Sequence, residues 1–236
     1  ELIQRFPEYV MVFFDDEGAL YVNQHDYPAL AQQYTLEGID PFELVDKNAE
    51  AMTQEQMEAW RVKVARLLTL YPDGLLTNRL AAVALNREGA YDRALRHAET
   101  IIRNFPESPL GYRLKGDALK GLALFDEAAV YYTRALKRTE RGIRSDLYKQ
   151  LGLVSQQGGH YAKAYRALKR TIDIFSPTTS HEDLYTLGSV ALLAGRPEDA
   201  KLVWKYLYDV RIAPDETTWA EKLKQDLTRL GVLEGN

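Results

Sequence analysis

The sequence contains no cysteine among its 236 residues. Disulfide bridges, thiolate metal sites and a cysteine nucleophile are therefore all excluded. The absence of cysteine does not identify a compartment, since cytoplasmic and extracytoplasmic proteins can both lack it. What is missing thus limits the chemistry of the chain and leaves its location open.

Long apolar runs are also missing. A membrane-spanning helix requires roughly 18–20 consecutive apolar residues, and the longest candidate near the start is Tyr9–Phe14. Glu1 to Arg5 lack the charged and apolar regions of a signal peptide. We therefore expect no direct membrane insertion within this chain. An opening on Glu rather than Met suggests a fragment or a processed product.

The chain lacks an excess of positive charge. It carries 30 basic and 34 acidic residues, for a formal net charge of −4. Proteins that bind nucleic acids usually present a basic excess to the phosphates, so nucleic acid is not expected as a partner. The hydrophobic fraction of 46% is that of a folded globular protein rather than a disordered one.

Catalytic and metal-binding patterns are scarce. The four histidines are scattered, without the His-Glu-x-x-His spacing of a zinc site. His97 is expected on a solvated helix surface and His160 in a turn. The carboxylates of Asp15 to Glu17 could hold a cation, but an acidic hairpin turn explains them more simply. We therefore predict no catalytic residue, no cofactor and no bound metal, and a chain that is not itself an enzyme.

The stretch YVMVFFDDEGALYV, from Tyr9 to Val22, predicts a β-hairpin. Two runs rich in Val, Phe and Tyr flank an acidic turn, and Gly18 suits a positive φ near that turn. An isolated hairpin is marginally stable in water, so its apolar side chains must pack on neighbouring elements. The chain is therefore expected to begin with a β element before a mostly helical remainder.

Four alanines mark an internal repeat. They are spaced 34, 36 and 36 residues apart, a period typical of helix–turn–helix solenoids. A small residue precedes each by 12 positions, where two helices cross closely, and Gly or Ala precedes each by five, where a tight turn separates the helices. These three sets are Ala94, Ala128, Ala164 and Ala200; Ala82, Gly116, Gly152 and Gly188; and Gly89, Ala123, Gly159 and Gly195.

Bulky residues follow these alanines on the same predicted helical face. The offset of four gives Ala98, Tyr132, Leu168 and Trp204, and the offset of seven gives Ile101, Ala135, Thr171 and Leu207. The pattern of small residue, alanine, aromatic residue and proline resembles the tetratricopeptide (TPR) repeat. Lys115 and Glu140 depart from it, standing where the family usually has Leu and Pro.

The resemblance implies a mostly α fold, a right-handed α-solenoid of TPR helix–turn–helix repeats preceded by a short β-hairpin. The expected divisions are a leading element at 1–50 with the hairpin at 9–22 and a short helix, a packing helix or degenerate repeat at 51–74, four repeats across 75–213, and a C-terminal capping helix at 214–236. The repeats are expected near 75–108, 109–142, 145–178 and 181–214.

TPR proteins bind partners in a concave groove lined by the first helix of each repeat, helix A. The resemblance therefore implies a non-enzymatic scaffold for a protein or peptide. Three successive repeats place a cation at the fifth position of helix A, which favours an acidic segment, although solvated helices often carry Lys and Arg in any case. The predicted groove residues are Arg79, Val83, Asn86, Arg113, Asp117, Lys120, Lys149, Leu153, Gln156, Tyr185 and Ser189.

Two partner questions follow from that groove. Some TPR domains grip a terminal carboxylate through a Lys/Asn/Asn/Lys/Arg set, and the corresponding residues here spoil it, so the tails of large chaperones are not expected. These residues include Arg79, Val83, Leu114, Asp146 and Gln150. Neither the identity of the partner nor the oligomeric state follows from the sequence.

The first forty residues carry a second resemblance. They are similar to the segment after the last membrane span in large bacterial polytopic glycosyltransferase-like proteins, some with TPR tails. The matching residues are Phe14, Asp15, Asp16, Leu20, Tyr21, Val22, Tyr34 and Pro41. This resemblance implies an alternative: a soluble accessory domain tethered on the extracytoplasmic (periplasmic) side, with the chemistry elsewhere in its parent. A cytoplasmic scaffold is the other possibility.

Overall fold

The computed structural model describes residues 6–14, 18–36, 53–213 and 216–233. Within these ranges it contains eleven α-helices and one two-stranded sheet, so the mostly helical prediction is confirmed. The chain divides into two compact units, Glu1–Leu122 and Ala123–Asn236. The elements of the first unit are β1 (Tyr9–Phe14), β2 (Ala19–Asn23), α1 (Pro28–Tyr34), α2 (Gln54–Leu70), α3 (Leu75–Arg87), α4 (Tyr91–Asn104) and α5 (Pro109–Gly121).

The second unit is entirely helical in the part that the structure describes. Its elements are α6 (Phe125–Arg138), a 3₁₀ turn (Arg141–Ile143), α7 (Ser145–Gln157), α8 (Tyr161–Leu168), α9 (His181–Leu193), α10 (Pro197–Tyr206), a π-helical turn (Leu207–Arg211) and α11 (Thr217–Arg229). Pro197 stands in the first turn of α10, where its missing N–H is not needed. Residues 214–215 lie outside the described ranges.

The predicted hairpin is present. β1 and β2 pair antiparallel, with an irregularity between Met11 and Phe13 that inserts a residue into β1. One face packs into the first unit, because Phe14 and Leu36 are buried in the same cluster as Trp60. The acidic turn at 15–17, and with it the suggested cation site, lies outside the described residues.

Helix α2 connects this leading element to the helix pairs. The side chain of Thr53 accepts from the N–H of Gln56, whose side chain accepts from the N–H of Thr53, and the two contacts form a capping box. The buried face of α2 contains Trp60, Val64 and Leu67 and packs in one cluster with residues of α3. The helix therefore covers the apolar flank that α3 would otherwise expose.

Close helix crossings depend on small residues, as predicted. Ala94, Ala128, Ala164 and Ala200 are each 0% exposed. A Cβ built on Gly152 would lie 2.6 Å from Cδ2 of Leu168, and one built on Gly188 would overlap the ring of Trp204. The missing Cβ atoms thus create the space that the bulky residues of the partner helix fill.

The turns between paired helices adopt a left-handed backbone. Gly89, Gly159 and Gly195 have φ of 75°, 77° and 72°, and the equivalent Ala123 has φ of 59°. Glycine adopts this conformation without steric cost, whereas alanine does not. The second repeat therefore forms the same turn with a residue that is strained there.

The third pair departs from the expected pattern. Helix α8 ends at Leu168, after eight residues, whereas α4 and α6 each contain 14. Thr171 consequently lies beyond the helix, and the prediction that it shares the buried helical face is wrong. Its hydroxyl instead donates to the Leu168 carbonyl at 3.1 Å. Arg211 holds the loop that follows, donating to the carbonyls of Ser176, Pro177 and Thr179.

Candidate protein-binding faces

The predicted groove residues lie on four helices, α3, α5, α7 and α9, each the first helix of a pair. The faces of α3 and α5 belong to the first compact unit, and those of α7 and α9 to the second. Arg113 is exposed, and the other predicted groove residues are partly buried.

The first unit carries the clearest cationic face. On α5, Arg113 retains 48% of its side-chain exposure, and its Nε lies 4.0 Å from the Asp117 carboxylate one turn later. An exposed ion pair of this kind contributes about 0–1 kcal/mol to stability. Lys120 follows on the same helix. This face combines both signs of charge and stays accessible to solvent.

The face of α3 is more apolar. Val83 packs partly against two core clusters, while Arg79 lies half-buried four residues earlier. The Asn86 side-chain oxygen is buried, and no partner for it is found in the described part of the chain. A buried amide oxygen without a donor carries a desolvation cost that a bound N–H group would relieve.

In the second unit, Lys149 is engaged by its own protein. Its Nζ lies 2.8 Å and 2.9 Å from the two carboxylate oxygens of Asp183, which joins α7 to α9. The Ser180 side chain accepts from the N–H of Asp183, so the start of α9 fixes this carboxylate. An acidic partner segment would have to compete with Asp183 for Lys149. The neighbouring Leu153 and Gln156 are half-buried.

Tyr185 is covered by the C-terminal helix. Its ring stacks on Trp204, with centroids 5.4 Å apart, and lies 5.6 Å from the ring of Trp219 on α11. Its hydroxyl donates to the Asp226 carboxylate at 2.7 Å, and Lys222 Nζ lies 3.8 Å from the ring centroid. Burial, followed by the Asp226 contact, raises the pKa of Tyr185 to about 12.

Helix α11 therefore binds to the face of α9 by a defined set of contacts. Trp219, Lys222 and Asp226 share one side of α11, at helical spacing. Leu223 and Leu227 on the same helix are 0% exposed. On α9, the Ser189 hydroxyl donates to the Tyr185 carbonyl at 2.9 Å. Sequence reasoning placed a helix here and missed the aromatic contacts that hold it.

A second feature that the sequence did not reveal is a cleft of about 320 Å³ among α2, α3 and α4. His97 is half-buried at its edge, with Nδ1 2.9 Å from the Asn78 side-chain oxygen, so it is not the solvated surface residue that was expected. Burial, together with Arg93 and Arg96, lowers its pKa. Arg61 at the rim is paired with Glu88 at 2.7 Å.

Catalytic groups do not converge on any of these faces. Within the described ranges, no group of three or more His, Cys, Asp or Glu side chains is arranged to hold a metal ion. His160, predicted in a turn, lies at the start of α8 with Nε2 2.7 Å from the Asp126 carboxylate, on the surface. Of the helices described, none is long and apolar enough to cross a membrane.

Solved structures share this arrangement of helix pairs. PilW, a widely conserved type IV pilus biogenesis factor, is 18% identical with a TM-score of 0.57, over 76% of this chain and 88% of that one. PilF of Pseudomonas aeruginosa is 15% identical with a TM-score of 0.57, over 75% and 85%. YrrB, a TPR protein with an unusual peptide-binding site, is 17% identical with a TM-score of 0.55, over 72% and 84%.

No protein-family model matches the sequence, and no curated protein aligns with it significantly. The likeness to the solved structures nevertheless covers most of each chain. The protein therefore has the fold of TPR proteins, as the repeat pattern predicted.

Proposed function

We propose that this protein is a non-enzymatic interaction scaffold that binds a peptide or protein segment on the first helices of its pairs. The observation that carries the proposal is the seating of α11 on α9, where the Tyr185 hydroxyl donates to Asp226 and the Tyr185 ring contacts the Lys222 cation. A helical segment already occupies one such face. The equivalent positions on the other first helices are Arg79, Arg113 and Lys149, which offer a cation to a partner.

The TPR fold supports this role, because stacked helix pairs present extended surfaces for partners. Among the solved structures that share the fold, YrrB has a peptide-binding site. The described residues of the present chain supply no set of nucleophile, base and stabilising donors that would suggest chemistry instead.

The best accessible position for an acidic segment is the face of α5. The Arg113 side chain is 48% exposed and its contact to Asp117 is long, at 4.0 Å, whereas Lys149 Nζ lies 2.8 Å from Asp183. A partner carboxylate can bind the exposed guanidinium through two parallel charge-assisted bonds. The predicted stripe of three cations is thus replaced by a proposal centred on Arg113.

The test uses fluorescence anisotropy with a labelled nine-residue peptide that alternates Glu and Val. Arg113→Glu is expected to weaken binding about tenfold, which corresponds to roughly 1.4 kcal/mol. The matched control is Arg103→Glu, an exposed position near the end of α4. Equal affinities for the two variants and the natural chain would reject the α5 face as the site of an acidic segment.

The observed hairpin favours a second candidate, the accessory domain of a membrane glycosyltransferase-like protein. That resemblance requires β structure at the matching residues, and β1 and β2 occupy Tyr9–Phe14 and Ala19–Asn23. The decisive measurement is the coding sequence upstream of Glu1. Several encoded membrane spans would support this role, and a cytosolic start a few codons upstream would eliminate it.

A further inference from the structure

The hairpin has two apolar faces, of which the core uses one. Met11 and Phe14 pack on the cluster that contains Trp60. Val10 lies opposite Val22, and Phe13 opposite Leu20, in the strand register. Residues directly opposite each other in a sheet share a face. Val22 and Leu20, two residues apart on β2, therefore lie on the side away from Phe14.

That second face borders an apolar cleft of about 320 Å³. Val12, Phe13, Leu20 and Val22 line it from the hairpin, and its remaining walls come from helix α1 and the residue after α2. Those further lining residues are Leu30, Tyr34 and Tyr71. The volume suffices for one large apolar side chain, because ligand pockets begin at about 300 Å³.

Hydrogen bonds and an aromatic contact hold the walls of the cleft in place. The Tyr71 hydroxyl donates to the Val12 carbonyl, and its ring meets the edge of Phe13 with centroids 5.1 Å apart. The N–H of Leu36 donates to the Met11 carbonyl at 2.9 Å, on the β1 edge away from β2. These contacts fix β1 between the core and the cleft.

Its rim leaves apolar side chains in water. Leu20 and Leu30 are 57% and 46% exposed, and Tyr27 nearby is 57% exposed. Contiguous apolar surface of this kind marks interaction sites in soluble proteins. β1 is the one strand that pairs with β2 among the described residues, so the outer edge of β2 has backbone groups to offer beside the cleft.

The negative charge of the hairpin element favours a cationic partner. The described residues of this element, 6–14 and 18–36, contain neither Lys nor Arg and carry the carboxylates of Glu8 and Asp26. Arg66 of α2 reaches α1, with Nη2 3.4 Å from the Gln33 carbonyl oxygen. The net charge nevertheless remains negative, which repels a second copy of the same element and an anionic membrane surface.

We propose that this hairpin cleft docks an extended segment of a partner protein that carries one large apolar side chain flanked by Lys or Arg. The apolar side chain fills the cleft, the backbone of the segment pairs with the outer edge of β2, and the flanking cations complement the negative charge of Glu8 and Asp26. Strand addition of this kind combines backbone hydrogen bonds with a side-chain pocket for specificity. The site is separate from the helical faces assigned above.

Anisotropy with the 236-residue chain tests the proposal. The probe is a labelled nine-residue peptide of alternating Lys and Val with a central Phe, and its twin carries Glu in place of Lys. On the Arg113→Glu chain, whose α5 face should no longer attract an acidic peptide, we expect the Lys peptide to bind at least tenfold more tightly than the twin at low salt, with the difference falling as salt screens the charges. Amide shifts of Ala19 to Asn23 on binding would locate the peptide on β2.

Leu20→Asn and Leu30→Asn should each weaken the Lys peptide at least fivefold. They lie on different elements, and both are exposed, so folding should survive at least one of them. The matched control is Val62→Asn, a 65% exposed apolar position on α2. Arg113→Glu should leave this binding unchanged, which separates the result from the test of the α5 face.

Three outcomes would overturn the proposal. The first is equal affinity of the Arg113→Glu chain for the Lys peptide and its Glu twin. The second is an equal loss of binding in Val62→Asn and Leu20→Asn. The third is a wild-type dimer in sedimentation that Leu20→Asn dissociates, which would assign the cleft to a second copy of the chain.

Discussion

The leading hairpin element and the C-terminal helix differ in how completely they bury their apolar side chains. Within each compact unit, the apolar faces of the helices must be covered. Helix α11 packs on the core of the second unit, with Leu223 and Leu227 at 0% exposure. The hairpin buries Phe14 at 4% exposure yet leaves Leu20 at 57%. The first arrangement buries its apolar side chains fully, whereas the second leaves apolar surface exposed, where we propose that a partner segment docks.

The largest expected effect tests the fully buried side chains of α11. Leu227→Ala should destabilise the protein by about 3 kcal/mol, because deleting a fully buried leucine removes its transfer energy and leaves a cavity. Leu20→Ala should cost less than about 0.5 kcal/mol, as surface substitutions usually do. Urea unfolding followed by circular dichroism measures both. Similar losses of unfolding free energy in the two variants would show that the hairpin and α11 do not differ in how much Leu20 and Leu227 contribute to stability.

Gly188→Ala comes next. The new Cβ would overlap the Trp204 ring, and overpacking of this kind costs typically about 1–3 kcal/mol. Gly142→Ala is the control in the same compact unit, since a Cβ there meets nothing within 4 Å. Thermal unfolding and tryptophan fluorescence report the change. An unaltered spectrum and stability in Gly188→Ala would show that α9 and α10 can separate without cost.

Alkaline pH should loosen the contact between α9 and α11. The folded pKa of Tyr185 is raised to about 12 from its ordinary value of 10.0, so the folded protein holds the proton more tightly than the unfolded chain. The resulting stability is fully present below about pH 10 and is lost as the pH rises through about 12. Solvent screening of this partly exposed group limits the effect to about 1 kcal/mol.

The measurement compares the natural chain with Tyr185→Phe. The difference in unfolding free energy between the two should shrink from pH 10 to pH 12, because phenylalanine does not titrate. Tyr148→Phe serves as a control for the other tyrosines, since the Tyr148 hydroxyl accepts from Arg170 on the surface of the same unit. A pH-independent difference between the natural chain and Tyr185→Phe would contradict the role of the Asp226 contact.

The smallest expected effect concerns the turns between paired helices. Ala123→Gly should stabilise the protein by about 0.5–1 kcal/mol, because it relieves the left-handed backbone of a non-glycine residue. Gly159→Ala makes the reverse change in an equivalent turn with open space around it and should destabilise by a similar amount. Differential scanning calorimetry resolves both shifts. Effects of the same sign would refute the shared turn geometry.

Much of the fold could be predicted because its determinants are local or periodic. The repeat of small residues identified the helix crossings, and Gly89, Gly159 and Gly195 identified the turns. The early end of α8 could not be predicted in the same way. Thr171 sits at the expected helical spacing, but the chain there turns into a loop that Arg211 stabilises from 32–35 residues further on.

The candidate binding faces could likewise be predicted only in part. Their positions on helix A follow from the repeat register, but their availability depends on partners distant in sequence. The repeat register offers Lys149 to an acidic partner, but Asp183, 34 residues later, is already hydrogen-bonded to it. Tyr185 was expected in a groove and lies under α11, held by Asp226, 41 residues later. The proposed groove set therefore awaits the binding tests described above.

The helix–turn–helix repeat, the leading hairpin and the absence of cysteine chemistry can be read directly from composition and residue spacing, because both follow from the order of residues alone. The pairing of charges, the contacts between aromatic residues and the exposure of one apolar hairpin face become visible only in the folded structure. Each of these depends on long-range packing, where a side chain is available to a partner only if no other part of the same chain has reached it first.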